Sequence, residues 1–243
     1  MKKSKTRIFI DQIISANLII YIKKKQHHFL KNVLRIKIDD EINIFDGKTG
    51  EWKAIVSSIN RDNTVIRIIK KINNFEPSPD IWLVFAPIKP HRMSLVIQKA
   101  TELGVSKIIP CVTDFTNNKK VNTKNLYDNS IEAAEQCERL DLPKIEKLVY
   151  LNQLLSEWPE NRKLIYCDEK IRNEKFIIDT LIPYKKSKNE YAVLIGPEGG
   201  FSDEEKDLIT NKKFVIPISL GKRVLRSDTA IAVSLFCIQE LLS

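Results

Sequence analysis

The chain reads as a mixed α/β protein in two parts. A small β-barrel with one helix occupies residues 1–75, and an open parallel sheet covered by helices occupies 76–243. Three observations predict this. Short β-branched runs crowd the first third, and a proline-bearing linker at 73–80 (NNFEPSPD) interrupts them. Beyond it, near-continuous apolar runs alternate with helical periodicity.

Within the first part, residues 7–10, 18–22, 41–45, 51–59 and 64–70 have the length and β-branched composition of strands. Asp46-Gly47 and Arg61-Asp62-Asn63 supply turns between the later ones. Between the second and third strands, Phe29, Leu30, Val33 and Leu34 recur at i, i+1, i+4 and i+5. That spacing predicts a short amphipathic helix over 26–35 with a basic outer face, which puts His27 and His28 at the surface.

In the second part, strands are expected at 81–87, 107–111, 163–167, 191–195 and 214–219. Helices are expected at 93–103, 125–139, 176–181, 202–211 and 228–242. Gly104 stops the first of these helices, and Ser202 with Glu205 makes a capping box at the start of the fourth. Apolar strands separated by helices need cover on both faces, which argues for a parallel sheet. The last helix has almost no polar face from Ala230 to Ile238 before Gln239 and Glu240. Such a helix must be covered all round, and a C-terminal helix seldom lies at a domain centre, so a homodimer seam is expected there.

Lys plus Arg number 40 against 31 Asp plus Glu, a net charge of +9 in 243 residues. Residues 1–75 hold 16 bases and 7 acids, whereas 76–243 hold 24 of each, so the whole excess lies in the first part. Lysine-rich compositional drift would not spare the remaining two thirds. The asymmetry points to a part that meets nucleic acid joined to a part that does something else. A hydrophobic content of 43% excludes global disorder. Four cysteines without a CxxC exclude a disulfide scaffold, and His27, His28 and His91 share no ligand spacing with them, so no metal is expected. The longest apolar stretch, 230–238, is about half of the ~20 residues a membrane span needs. The basic N-terminus is followed only by Ile8-Phe9-Ile10 before Asp11, too short for a signal peptide, so a cytoplasmic location is expected.

Open parallel sheets bind ligands at the carboxyl ends of their strands, and two such ends stand out. The first, 194–201 (LIGPEGGF), holds three of the seven glycines at Gly196, Gly199 and Gly200. A tight turn needs fewer, so this loop is expected to press its backbone against a flat ligand. It is neither a Walker loop nor a GxGxxG fingerprint. The second, 218–229, combines Gly221 with Lys222, Arg223, Arg226 and Asp228. Guanidinium forks hold phosphates or polarise carbonyls, while Asp228 suits the first turn of the following helix as a cap.

GPEGGF at 196–201, LGKRVLRSDTA at 220–230 and IQKATELGV at 97–105 resemble the RsmE family in order and spacing. That family methylates N3 of one uridine in 16S ribosomal RNA of the small subunit. EAAEQCER at 132–139, and His28 to Arg35 followed by Phe45-Asp46-Gly47, are similar to it too, so the resemblance covers nearly the whole chain. It implies an N-terminal PUA-like β-barrel for RNA and a C-terminal SPOUT α/β domain with a trefoil knot. It also implies S-adenosyl-L-methionine as cofactor and the small ribosomal subunit as partner. The matching cofactor residues are Leu194, Ile195, Gly196, Pro197, Glu198, Gly199 and Gly200 in the first loop. In the second they are Ile218, Leu220, Gly221, Val224 and Leu225. Arg226 matches the arginine beside the methyl-transfer centre, and Arg7, Lys31, Arg35 and Arg223 are the expected RNA contacts. Three positions depart from the family pattern: Phe115 stands where an arginine is usual, Glu138 where a glycine precedes arginine, and Lys222 where a proline is usual.

Methyl transfer from a sulfonium is an in-line displacement governed by alignment. Arg226 is expected to stabilise the charge developing on the uracil carbonyls. Glu198 and Asp228 are both candidates for the acceptor of the N3 proton. Two alternatives stay open: a SPOUT enzyme acting on a ribose 2′-hydroxyl or a guanine, and a non-catalytic RNA-binding factor that kept the fold.

Overall fold

The two hydropathy patterns fold as two units. The computed structural model describes residues 4, 6–171, 174–185 and 190–242, the His91 side chain excepted. One unit holds the chain up to Pro77 together with Ala134–Leu142, and the other holds Ser78–Ala133 and the chain from Pro143 onward.

The first unit contains β1 (Arg7–Phe9), β2 (Ile19–Lys23), α1 (Lys24–His28), β3 (Glu41–Phe45), β4 (Glu51–Ile59) and β5 (Asn63–Asn73). Its sheet runs β1-β3-β4-β5-β2, with β1 parallel to β3 and the other pairs antiparallel. Alternate residues point inward: Ile20 and Ile22, Ile42 and Ile44, Ala54 and Val56, Ile66 and Ile68 share one buried core. Three register shifts between β4 and β5 add local twist and curl the sheet. Among the described residues no ladder joins β1 to β2. The unit is a curled, PUA-like half-barrel, in keeping with the small β-barrel expected.

The helix after β2 begins as α1 and widens into a π turn over Phe29–Val33, where the Leu34 amide donates to Phe29 O at 3.0 Å. Leu30 is carried fully inside, while Val33, inward on a 3.6-residue period, is 60% exposed. His27 is also inside rather than at the surface. Its Nε2 donates to the Arg61 carbonyl at 3.1 Å, which leaves Nδ1 to accept from the Thr64 hydroxyl at 2.9 Å.

Ala134–Leu142 belongs with this unit because Arg7 and Phe9 bind it. Arg7 Nη1 donates to Ala134 O and Nη2 to Arg139 O, both at 2.6 Å, and the Phe9 amide donates to Glu135 at 2.9 Å. Arg7 Nε pairs with Glu51 at 2.8 Å, and the guanidinium lies 3.8 Å from the Phe45 ring centre. At 8% exposure, with every nitrogen engaged, Arg7 has no face for a phosphate. It is a structural arginine, which corrects its expected place among the RNA contacts.

The second unit contains β6 (Ile81–Phe85), α2 (Pro90–Glu102), β7 (Lys107–Val112), most of α3 (Thr123–Cys137), β8 (Lys144–Ile145), β9 (Val149–Tyr150) and α4 (Leu151–Ser156). It continues with β10 (Arg162–Cys167), α5 (Ile177–Leu181), β11 (Glu190–Ile195), α6 (Asp203–Thr210), β12 (Val215–Ile218) and α7 (Ser227–Leu242). The strands are all parallel in the order β12-β10-β11-β6-β7-β8, with β9 also on β7. Val193 packs with Leu83, Val96, Ile231 and Leu235 on one face, while its neighbour Leu194 packs with Leu164, Trp158 and Ile209 on the other. Both faces are thus covered, as continuous apolar strands require. The last helix buries Ala230, Ile231, Ser234, Leu235 and Ile238 but leaves Val233 and Phe236 outward, at 37% and 56% exposure. The capping box is present in both halves, Glu205 N–H to Ser202 Oγ and Ser202 N–H to Glu205 Oε2.

Candidate active site

β12, β10 and β11 lie side by side, so their carboxyl ends open on the same edge of the sheet. The segments that leave them enclose a cleft of about 670 Å³, part of it open to solvent. Its walls come from Ile195, Gly196, Pro197 and Gly200 after β11, Leu220, Gly221, Val224 and Leu225 after β12, and Asp168 and Glu169 after β10. Both glycine-bearing loops therefore meet in one place, as the sheet's topology dictates.

The first loop is a turn in which the Gly200 amide donates to Pro197 O at 2.9 Å, with Gly200 at φ +71°. Gly196 is required for another reason: a Cβ there would stand 2.6 Å from the buried Phe201 ring, which packs edge-on against Tyr166. In the second loop Gly221 has φ +112°, and a Cβ built on it meets nothing within 4 Å. Its backbone is bare toward open space, where a ligand can lie against peptide groups.

The cleft has an apolar floor and a rim of mixed charge. Burial pushes the Cys167 thiol well up, and burial with the nearby Asp168 does the same to the Tyr166 hydroxyl, so both are neutral walls. Asp168 and Glu169 supply carboxylates at the rim beside Lys206. The composition suits a flat adenosyl group whose ribose offers hydroxyl donors and whose sulfur carries positive charge.

Eight of the expected cofactor residues line the cleft, together with Arg223. Leu194 and Ile218 are fully buried in the cores behind it. Gly199 lies under Phe115, whose Cβ is 3.2 Å from where a Gly199 Cβ would be. Phe115 itself is 48% exposed on a turn pinned by Thr113, Thr116 and Glu205. Arg226 is exposed, and its carbonyl accepts the Ala230 amide at the start of α7. In the first unit Arg35 is exposed, and Lys31 lends its ammonium to Asn60 O at 2.9 Å.

Three functional residues were not foreseen. Asp168 and Glu169 follow an ordinary strand with no motif. Arg92, in the first turn of α2, reaches Glu198 at 3.2 Å and Asp228 at 2.7 Å. Asp228 does more than cap: in the first turn of α7 its carboxylate accepts the Thr229 amide at 2.9 Å and also faces Arg92. The hydrogen bond from Arg92 holds its carboxyl below the usual carboxylate range against some desolvation. Among the described residues no group of three or more His, Cys, Asp or Glu side chains is placed to hold a metal ion. No described helix is long and apolar enough to cross a membrane.

A parallel α/β unit with paired glycine loops at its carboxyl edge, in one chain with a basic PUA-like unit, has the parts of an RNA-modifying protein. The sequence matches the RNA methyltransferase domain family over residues 76–239 and the RNA methyltransferase PUA domain family over 22–69. The Rickettsia conorii ribosomal RNA small subunit methyltransferase E is 34% identical over 225 residues, covering 92% of this chain and 91% of its own. A Legionella pneumophila methyltransferase, solved with the bound cofactor SAM, superposes with a TM-score of 0.86 at 30% identity and 98% coverage of both chains. The ribosomal RNA small subunit methyltransferase E of Neisseria gonorrhoeae, solved with S-adenosyl methionine, has the same TM-score and coverage of both chains at 24% identity and shares the fold. This chain belongs to the RNA methyltransferase family, in the ribosomal RNA small subunit methyltransferase E group.

Proposed function

We propose that this protein transfers a methyl group from S-adenosyl-L-methionine to N3 of one uridine in 16S ribosomal RNA, acting in the cytoplasm on the small ribosomal subunit as a homodimer. The observation that carries the reading is the meeting of the two glycine loops in one cleft at the ends of β12, β10 and β11, with Arg223 in its lining. The relatives' names and the bound SAM of the Legionella protein support donor and substrate class. The exposed Val233 and Phe236 on α7, and Leu95 on the neighbouring α2, support the dimer. The knot and the choice of N3 rest on the family resemblance.

Bound in the cleft, the sulfonium would supply an electrophilic methyl group. Backbone groups of 196–200 and 220–225 orient it, and the apolar floor of Ile195, Pro197, Leu220 and Leu225 excludes water from one side. The half-buried Lys31 and the exposed Arg35 on the first unit, with the exposed Arg223 by the cleft, hold phosphates and make RNA affinity fall with salt. Arg226 faces the uracil carbonyls, where negative charge grows as N3 gives up its proton.

The test is Arg226→Ala assayed on small-subunit RNA, with the methyl located by mass spectrometry of the digested product. The wild type is expected to yield N3-methyluridine, and the variant to lose roughly 10²–10³ in rate while binding cofactor normally. A methyl found on ribose or guanine sinks the N3 assignment. An unchanged rate sinks the role of Arg226.

A further inference from the structure

The turn at 197–200 and the start of α7 each direct a carboxylate at a guanidinium that belongs to neither. Arg92 Nη1 reaches Glu198 Oε1 at 3.2 Å, Nη2 reaches Asp228 Oδ1 at 2.7 Å, and Nε donates to Asp228 Oδ2 at 3.2 Å. The Arg92 and Asp228 side chains are 17% and 16% exposed, against 43% for Glu198. A cation in the first turn of a helix opposes the helix dipole, and α2 has no acid there to compensate. The core face of α2 (Met93, Val96, Ile97 and Ala100) is complete without it. What holds Arg92 in place is the pair of carboxylates from the two cleft loops. Ser227 Oγ, donating to Gly196 O at 3.1 Å, ties the same two segments a second time.

We propose that Arg92 is a positioning residue that yokes the two cleft loops, setting the turn at 197–200 against the cofactor through Glu198 and aiming Arg226 through Asp228. The inference rests on the function proposed above. Its two arms differ in kind. The Glu198 arm is a single, half-exposed contact to the cofactor turn. The Asp228 arm is a two-point contact, and Asp228 lies two residues beyond Arg226 in the sequence.

The test combines steady-state kinetics, calorimetric titration of S-adenosyl-L-methionine and thermal unfolding for Arg92→Met, Arg92→Lys, Glu198→Gln and Asp228→Asn. Glu198→Gln should raise the cofactor KM about three- to five-fold with a smaller effect on kcat, as loss of one exposed ionic contact predicts. Asp228→Asn should lower kcat roughly ten-fold with little change in cofactor KM, because a small misplacement of a catalytic group acts on rate. Arg92→Met should do both. Arg92→Lys, a point charge that cannot fork to two carboxylates, should recover kcat but not KM. If Glu198→Gln raises KM as much in the Arg92→Met background as in the wild type, the yoke is overturned. It is equally overturned if Arg92→Met changes only thermal stability. Should Arg92→Met fail to fold, Arg92→Lys and the two carboxylate variants, which keep the cation, decide the matter by the same split. A wild-type protein that binds no S-adenosyl-L-methionine at micromolar concentration would instead sink the proposed function. Wild-type binding with an indifferent Arg92→Met sinks only the yoke.

Discussion

The two ends of the parallel sheet use arginine in opposite ways. At the amino ends, Arg162 opens β10 and is 1% exposed. Its Nη2 holds the carboxylates of Asp80 and Glu190, its Nη1 donates to the carbonyls of Asp80 and Tyr191, and its plane lies 3.7 Å from the Trp82 ring centre. These partners precede or begin β6 and β11, the strands next in the sheet, so the guanidinium sets their mutual register. At the carboxyl ends Arg223 lines an open cleft, and both it and Arg226 are exposed. A desolvated arginine held by fixed acceptors specifies structure, even with the Arg162 Nε left without one, and an exposed arginine is free to meet a ligand.

The sharpest way to break this contrast is to remove each kind of arginine and measure stability. Arg162→Ala leaves two carboxylates and two carbonyls without their donor and opens a void beside Trp82. A loss of about 3 kcal/mol is expected in chemical denaturation, the low end for a broken buried pair because both acids are half exposed. Arg226→Ala should leave the unfolding curve unchanged. The reverse ranking would mean that exposure does not separate the two roles.

Gly196→Ala sharpens the comparison within the active edge. The new methyl would stand 2.6 Å from the Phe201 ring, itself buried between the loop and Tyr166. Overpacking of this kind costs roughly 1–3 kcal/mol, and the displaced loop should lose most of its affinity for S-adenosyl-L-methionine. Calorimetry showing full affinity would mean the loop can repack around the ring.

These contrasts also explain what was legible in the sequence. The glycine loops are contiguous, and each follows a strand of near-continuous apolar residues, so both their composition and their place at the sheet's edge could be read. The capping box at Ser202 and Glu205 is local for the same reason. Arg92 could not be read as part of the site, because its partner Asp228 lies 136 residues away and only the fold joins them. Arg7 was misread because its burial depends on Glu51 and on the distant 134–142 segment, whereas its own neighbourhood in sequence is simply basic. Val33 was placed inward on a 3.6-residue period that the π turn does not keep. β8 and β9, at two residues each, are too short for any pattern to register.

The smallest effect is expected at Glu138, which follows α3 at φ +62°, a conformation that favours glycine. A left-handed conformation costs a residue with a Cβ roughly 1–2 kcal/mol, part of which glycine gives back through the greater freedom of its unfolded chain. The strain is held in place by contacts on either side: Arg7 donates to Ala134 O before it and to Arg139 O after it, and Arg139 pairs with Asp141 at 2.7 Å. Glu138→Gly should therefore stabilise the protein by about 0.5–1 kcal/mol, raising Tm by roughly 1–4 °C. Glu138→Ala removes the same exposed charge but keeps the strained backbone, so it should leave Tm near the wild-type value. If alanine and glycine raise it equally, the gain comes from removing an acid next to a basic unit, and the backbone at 138 is not under strain.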